Sequence, residues 1–218
     1  MCNLYNLHKT RDAVGKLFKV SDNRMATFPE QLTMFPGRDA PVVRISADGE
    51  HELVIMSWGF VFLQAGKAPR RVTNTRDDKM QSAFWRGSIE ERRCLVPVSS
   101  FAEPDDAKPV LWHWYALRGD EPRPLFAFAG LWRKWKGPIK KDGPVVEIET
   151  YSFMTTAANA FTEAINHDRL PAILATSEDQ EAWLHGKPGD WQRLLQPFAP
   201  DRMKEVQVGL DKLDLMKD

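Results

Sequence analysis

The sequence predicts an α+β fold: a single domain with a largely antiparallel, barrel-like β-sheet core and peripheral helices. Three observations lead there. Strand-like apolar runs recur along the chain without the regular alternation with helices that a βαβ protein would show. An Asp48-Gly49 pair sits between two such runs, VVRIS and ELVIMSW, and marks a hairpin, because glycine tolerates the positive φ that a tight turn demands. No repeat or linker interrupts the 218 residues, a length sufficient for one well-cored domain.

The elements follow in order. Arg11 to Lys19 reads as a short amphipathic helix with Val14, Leu17 and Phe18 on one face. After the hairpin, Asp77 to Arg86 reads as a helix closed by Gly87. Strand-like runs come next at CLVPV, VLWHWYAL, LFAFAGLW and VVEIETYSFMTT, separated by turn-rich RGDEPRP and KGPIKKDGP. A short helix around Asn159 to Ile165 leads into HDRLPAIL. Ser177 with Gln180 forms a capping box for a helix through Leu184, and Asp190 starts another. EVQVG reads as a last strand.

Composition limits the function classes. Thirty basic and thirty acidic residues cancel, so net charge alone predicts no nucleic-acid binding. The charges do segregate locally. Arg70, Arg71 and Arg76 form one basic stretch, Arg92 and Arg93 a second, and Arg133, Lys134, Lys136, Lys140 and Lys141 a third. Acidic residues gather at Glu103 to Asp106 and at Glu178 to Glu181. Each cluster by itself is equally a solvated face. The longest apolar run, Leu53 to Leu63, is broken by Ser57 and Gly59, so no membrane span is expected. Two cysteines and no signal-peptide pattern suggest a reducing, cytoplasmic setting. Those cysteines and five scattered histidines show no metal-ligand spacing, and no metal or cofactor is expected.

Cys2 carries the most chemical information. A small residue in that position permits removal of Met1, which leaves cysteine with a free α-amine of pKa near ~7.7–8.0. The thiol, near ~8.5 when unperturbed, needs only modest activation. An aminothiol reacts with an aldehyde through a Schiff base, and the neighbouring sulfur then closes a thiazolidine ring intramolecularly. Taken alone, Cys2 reads as a small residue that happens to follow Met1. Cys94 opens an apolar run and reads as a core residue.

Several blocks change the weight of Cys2: MC at the start, VTNTR, CLVPVSSFAE, FAGLW, YSFMTTAAN and NHDRLPAIL, in that order from Met1 to about Ala175. Together they resemble the SRAP (SOS-response-associated peptidase) family, whose members capture abasic sites in single-stranded DNA. The resemblance implies that Cys2 is the covalent nucleophile and that Asn74 orients amine and opened sugar. It implies that Glu103 acts as acid or base and that His167 assists sugar opening or proton transfer. Arg76 and Arg169 would grip phosphates, Thr155 would hold the DNA backbone, and Pro36 would border the bound base. The expected partner is single-stranded DNA containing an abasic site, the expected state a monomer, and the expected location cytoplasmic and nucleoid-associated. Three other readings stay open: a thiol autoprotease or peptidase using Cys2, a non-covalent single-stranded DNA-binding module, and a protein-interaction domain with incidental surface aromatics.

The chain also departs from the family pattern. Asn3 and Leu4 stand where a glycine and a basic residue are common, so a phosphate contact beside the nucleophile is missing. Glu103 is flanked by Ala102 and Pro104 instead of bulky residues. VFLQAGK lacks the usual proline and tryptophans, leaving Phe60, Phe62 or Trp85 to stack on DNA.

Overall fold

A computed structural model describes residues 2–216. The strands begin with β1 (Tyr5–His8), β2 (Gln31–Met34), β3 (Asp39–Ile45), β4 (His51–Trp58), β5 (Phe60–Phe62), β6 (Arg70–Val72) and β7 (Asn74–Arg76). They continue with β8 (Arg93–Val98), β9 (Ser100–Pro104), β10 (Trp112–Leu117), β11 (Phe126–Gly137) and β12 (Val146–Ala157). The last three are β13 (Arg169–Pro171), β14 (Ile173–Leu174) and β15 (Met203–Gly209). Five short helices intervene: α1 (Arg11–Leu17), α2 (Arg86–Glu91), α3 (Ala160–Glu163), α4 (Ser177–His185) and α5 (Pro188–Gln192).

Five strands close a ring in the order β12, β4, β3, β8, β11 and back to β12. The closure removes the free edges an open sheet would expose. The ring is mostly antiparallel, but β4 and β7 each run parallel to β12. A second sheet, β15-β10-β9-β1-β2, continues from the ring, because β8 passes through Ser99 directly into β9.

Alternation along the strands creates two large cores among the described residues, since successive side chains point to opposite faces, and a small third cluster of Leu4, Ala102 and Trp114. On β11, Phe126 and Phe128 face one apolar cluster and Ala127 and Ala129 the other. The first cluster is aromatic: Phe128 and Phe153 lie 4.7 Å apart between ring centres, and Tyr5 meets Trp58 edge-on at 5.1 Å. Burying each such ring contributes about 1.5–3 kcal/mol before entropy is counted. The second cluster lies under the helices, where Val14, Phe18, Trp183 and Trp191 cover Leu95, Leu131 and Met154.

The hairpin forms at the expected place, with Gly49 at φ 89°. Helix α1 starts as expected, its N-terminus capped by the Thr10 side chain, which accepts from the Ala13 N–H. Other expectations shift. The helix expected over 77–86 is absent. A short turn at Asp77–Lys79 replaces it, and α2 begins only at Arg86, with Gly87 inside it. Tertiary contacts outweigh helix propensity there: Asp77 accepts from Arg169, Arg76 pairs with Asp78, and Phe84 and Trp85 pack on Phe60. The cap of α4 is Thr176 instead of Ser177, and α5 starts at Pro188 rather than at Asp190. No helix among the described residues is long and apolar enough to cross a membrane.

Candidate active site

Strand pairing brings the start of the chain against Glu103. Strand β1 pairs antiparallel with β9 (Tyr5 with Phe101, Asn6 with Ser100), and Leu4 extends the contact by accepting from the Ala102 N–H at 2.9 Å. Continuing this register sets Glu103 opposite Asn3, one residue from Cys2. Glu103 is fully buried, as are the Cys2 side chain and its neighbour Leu4.

The Cys2 thiol donates to the Leu4 carbonyl at 3.5 Å. Burial raises its pKa well above the ordinary thiol value, and the Glu103 charge raises it further. The expectation of a modestly activated thiol is therefore corrected. Burial and the Glu103 charge thus both favour the protonated thiol. The expected removal of Met1 lies outside the described residues.

His167 also reaches Glu103. Helix α3 is capped by Asn159, whose side chain accepts from Phe161 and Thr162 N–H groups. It ends with Asn166 in the left-handed region at φ 60°, where the His167 and Asn166 N–H groups return to the carbonyls of Thr162 and Glu163. That reversal is a Schellman end, and it delivers His167 Nδ1 to 3.2 Å from Glu103 Oε2. The hydrogen bond to Glu103 raises the His167 pKa against the opposing effect of burial, so the contact favours imidazolium.

Asn74 arrives on β7, a strand held parallel to β12 with Asn74 beside Phe153. A lone asparagine between threonines suggests a turn; the pairing with β12 makes it a strand instead. Its Nδ2 donates to the Cys2 carbonyl at 2.8 Å and to Thr73 Oγ1 at 2.8 Å. Its buried Oδ1 has no hydrogen-bond partner among the described residues. Thr73 escaped the sequence reading, yet its hydroxyl donates to Asn3 Oδ1 at 2.9 Å and its carbonyl accepts from Trp58 Nε1 and Ser152 Oγ. Asn3 thus ties the first residues to Asn74's neighbour, a local role no motif in the sequence signals.

The residues expected to hold phosphate divide into two kinds. Arg169 and Thr155 lie side by side on β13 and β12, both buried, and the guanidinium is engaged by the Thr155 carbonyl and hydroxyl and by Asp77. A phosphate would have to displace Asp77 to reach it. Arg76 is half exposed and makes a two-point pair with Asp78 at 2.8 and 2.9 Å. Pro36 lies exposed in the loop after β2. Of the three aromatics expected to stack on DNA, Phe60 and Trp85 are buried in the core under the helices. Phe62 is partly exposed, with the Arg70 guanidinium 4.8 Å from its ring centre. Several expected basic-patch residues are structural too: Arg133 lies between Phe60 and Phe84, burial lowering its pKa to about 10, and Arg93 donates to carbonyls around the end of α4.

A closed α+β barrel with a cysteine at position 2 buried near a Glu–His pair and bonded through its carbonyl to an asparagine defines a narrow class of protein. The family model described as SOS response associated peptidase (SRAP) matches residues 1–211, and the chain belongs to that family. It is 32% identical to abasic site processing protein YoqW of Bacillus subtilis, over 95% of this chain and 92% of that protein. It is 28% identical to abasic site processing protein YoaM of the same organism, over 95% of this chain and 91% of that protein. Crystal structures share the fold. A Bordetella bronchiseptica protein superposes with a TM-score of 0.74 at 20% identity, covering 97% of this chain and 100% of its own. One from Bacteroides thetaiotaomicron gives 0.71 at 23% identity, covering 93% and 90%.

Proposed function

We propose that this protein processes abasic sites in DNA by capturing the sugar aldehyde on Cys2, in single-stranded DNA, as a thiazolidine. The observation that carries the reading is the convergence of four distant segments: Asn74 on the Cys2 carbonyl, Glu103 acting on the Cys2 thiol, and His167 on Glu103. Family membership and the names of the relatives supply the substrate class.

The residues divide the work. Opening the closed sugar needs a proton on its ring oxygen, which an imidazolium favoured by Glu103 is suited to give, while the anomeric hydroxyl passes its own proton to the Glu103 carboxylate as the aldehyde forms. With Met1 removed, the Cys2 amine attacks the aldehyde carbon to form a carbinolamine. Glu103 delivers a proton to the departing hydroxyl, which leaves as water and yields the iminium. The Cys2 sulfur then adds to the iminium carbon while its proton passes to the Glu103 carboxylate. One water is lost overall, and Glu103 ends protonated, in a position to return that proton to His167. A raised thiol pKa suits this order, since the sulfur stays protonated until the iminium forms. Asn74 holds the backbone of Cys2, and its unpartnered Oδ1 can accept from the new amine.

The test is a denaturing gel of protein incubated with single-stranded DNA bearing one abasic site. A heat-stable shifted band is expected, with Met1 absent by intact mass. Cys2→Ser should leave at most a Schiff base that needs borohydride for trapping; a stable adduct without borohydride would sink the thiazolidine step. Retention on native gels alone would favour a non-covalent binding module, and a shorter self-cleaved chain the thiol autoprotease.

A further inference from the structure

Three metal-ligating side chains meet at the end of β4 remote from Trp58, about 23 Å along the strand at ~3.3 Å per residue. His51 opens β4, while Glu181 and His185 lie on one face of α4 at a spacing of four residues. The two Nε2 atoms are 3.3 Å apart, and Glu181 Oε2 is 3.6 Å from His185 Nε2 and 4.0 Å from His51 Nε2. All three ligand atoms lie within 4.8 Å of one another.

The tautomer of His51 is set. Its Nδ1 lies 2.7 Å from the Phe18 carbonyl oxygen, which can only accept, so Nδ1 carries the proton and Nε2 turns its lone pair to the cluster. Ligating histidines are oriented by such outer hydrogen bonds. Two imidazole nitrogens on one tetrahedral zinc, each at ~2.0–2.1 Å, would be separated by ~3.3–3.4 Å. The observed pair already stands at that separation. The carboxylate needs only a small swing, and its other oxygen is occupied by Lys19 Nζ at 2.7 Å. His51 is mostly shielded while His185 and Glu181 are open to solvent, which leaves an entry path and room for water.

We propose that His51, Glu181 and His185 form a zinc site, with water as the fourth ligand, that clamps α4 to the start of β4 and the end of α1. Nitrogen and carboxylate donors in this number suit zinc rather than magnesium or calcium, which prefer all-oxygen shells. Sequence spacing conceals the site because His51 stands far from the Glu181–His185 pair along the chain.

The test titrates chelator-stripped full-length protein with zinc chloride at neutral pH. One saturable equivalent is expected, accompanied by a rise in Tm that chelator reverses. His185→Ala should weaken zinc binding at least tenfold and remove the Tm shift, whereas Lys19→Ala should bind at least as tightly as the parent, since it loses a competing cation. Absence of a saturable equivalent, a loss below tenfold in His185→Ala, or a parallel loss in Lys19→Ala would overturn the proposal.

Discussion

Cys2 and Cys94 are both fully buried, and burial pushes both thiols upward in pKa, yet they sit in chemically different places. Cys94 lies inside the barrel where β8 pairs with β11. A β-carbon at Gly130 would come within 2.7 Å of its sulfur, so the space is filled by packing. The charge acting on it is that of Arg44, which lowers its pKa slightly against the larger effect of burial. Cys2 lies at the junction of three chain segments, with Asn74 bonded to its backbone and the Glu103 charge on its thiol. Burial therefore does not separate the core cysteine from the one to which the proposed function gives the chemistry. The difference is a neighbouring carboxylate that can take the proton.

Substitution of the two cysteines should give the widest separation. Cys2→Ala should abolish the heat-stable DNA adduct, while Cys94→Ala should leave it intact and cost about 1 kcal/mol of stability by denaturant melt, the scale of a small core deletion. Loss of adduct in Cys94→Ala with its fold retained would break the contrast.

Glu103→Gln keeps size and hydrogen bonding but removes the base. Adduct formation should slow by about 10²–10⁴-fold in single-turnover gels, the usual range for a lost acid–base group. An unchanged rate would mean that the proton leaves sulfur by another route.

The two arginines sharpen the distinction between holding the site together and holding DNA. Arg169→Ala should cost about 1–3 kcal/mol of folding stability, because buried hydrogen bonds to Thr155 and Asp77 are lost. Arg76→Ala should change stability by less than about 0.5 kcal/mol and reduce the salt dependence of DNA binding by about one phosphate contact. Equal stability losses would place both in the structural role.

The smallest effect is on pH. The contact with Glu103 raises the folded His167 pKa above its unfolded value near ~6.5. Its stabilisation is thus full below that pH and fades as pH rises through the folded value. The Tm advantage of the parent over His167→Gln should be largest near pH 6 and shrink toward pH 9. A constant gap would remove the imidazolium from the account.

Much of the fold was legible because strands announce themselves through alternation. VVRIS, ELVIMSW, CLVPV, LFAFAGLW and VVEIETYSFMTT all lie in the ring, and EVQVG in the outer sheet. The short strands were not. β7 has three residues and no pattern of its own, and Asn74 becomes a strand residue only because β12 runs on past its short pairing with β4 and takes β7 alongside Phe153 to Thr155. The segment at 77–86 failed for the converse reason: its helical signal was local, whereas Arg169 and Phe60 draw Asp77 and Trp85 apart.

By itself the sequence determined the mixed fold class, the Asp48-Gly49 hairpin, the core role of Cys94 and the family. These depend on periodicity, turn chemistry and ordered motifs, which are properties of neighbours along the chain. Only the tertiary structure decided that Cys2 is buried beside the Glu103 charge, that His167 meets Glu103, and that Arg169 is committed to Asp77. It also decided that Phe60 and Trp85 are core residues, and that His51 faces His185. Each of these depends on desolvation or on a contact between distant residues, and burial and charge at a point in space have no signature in local sequence.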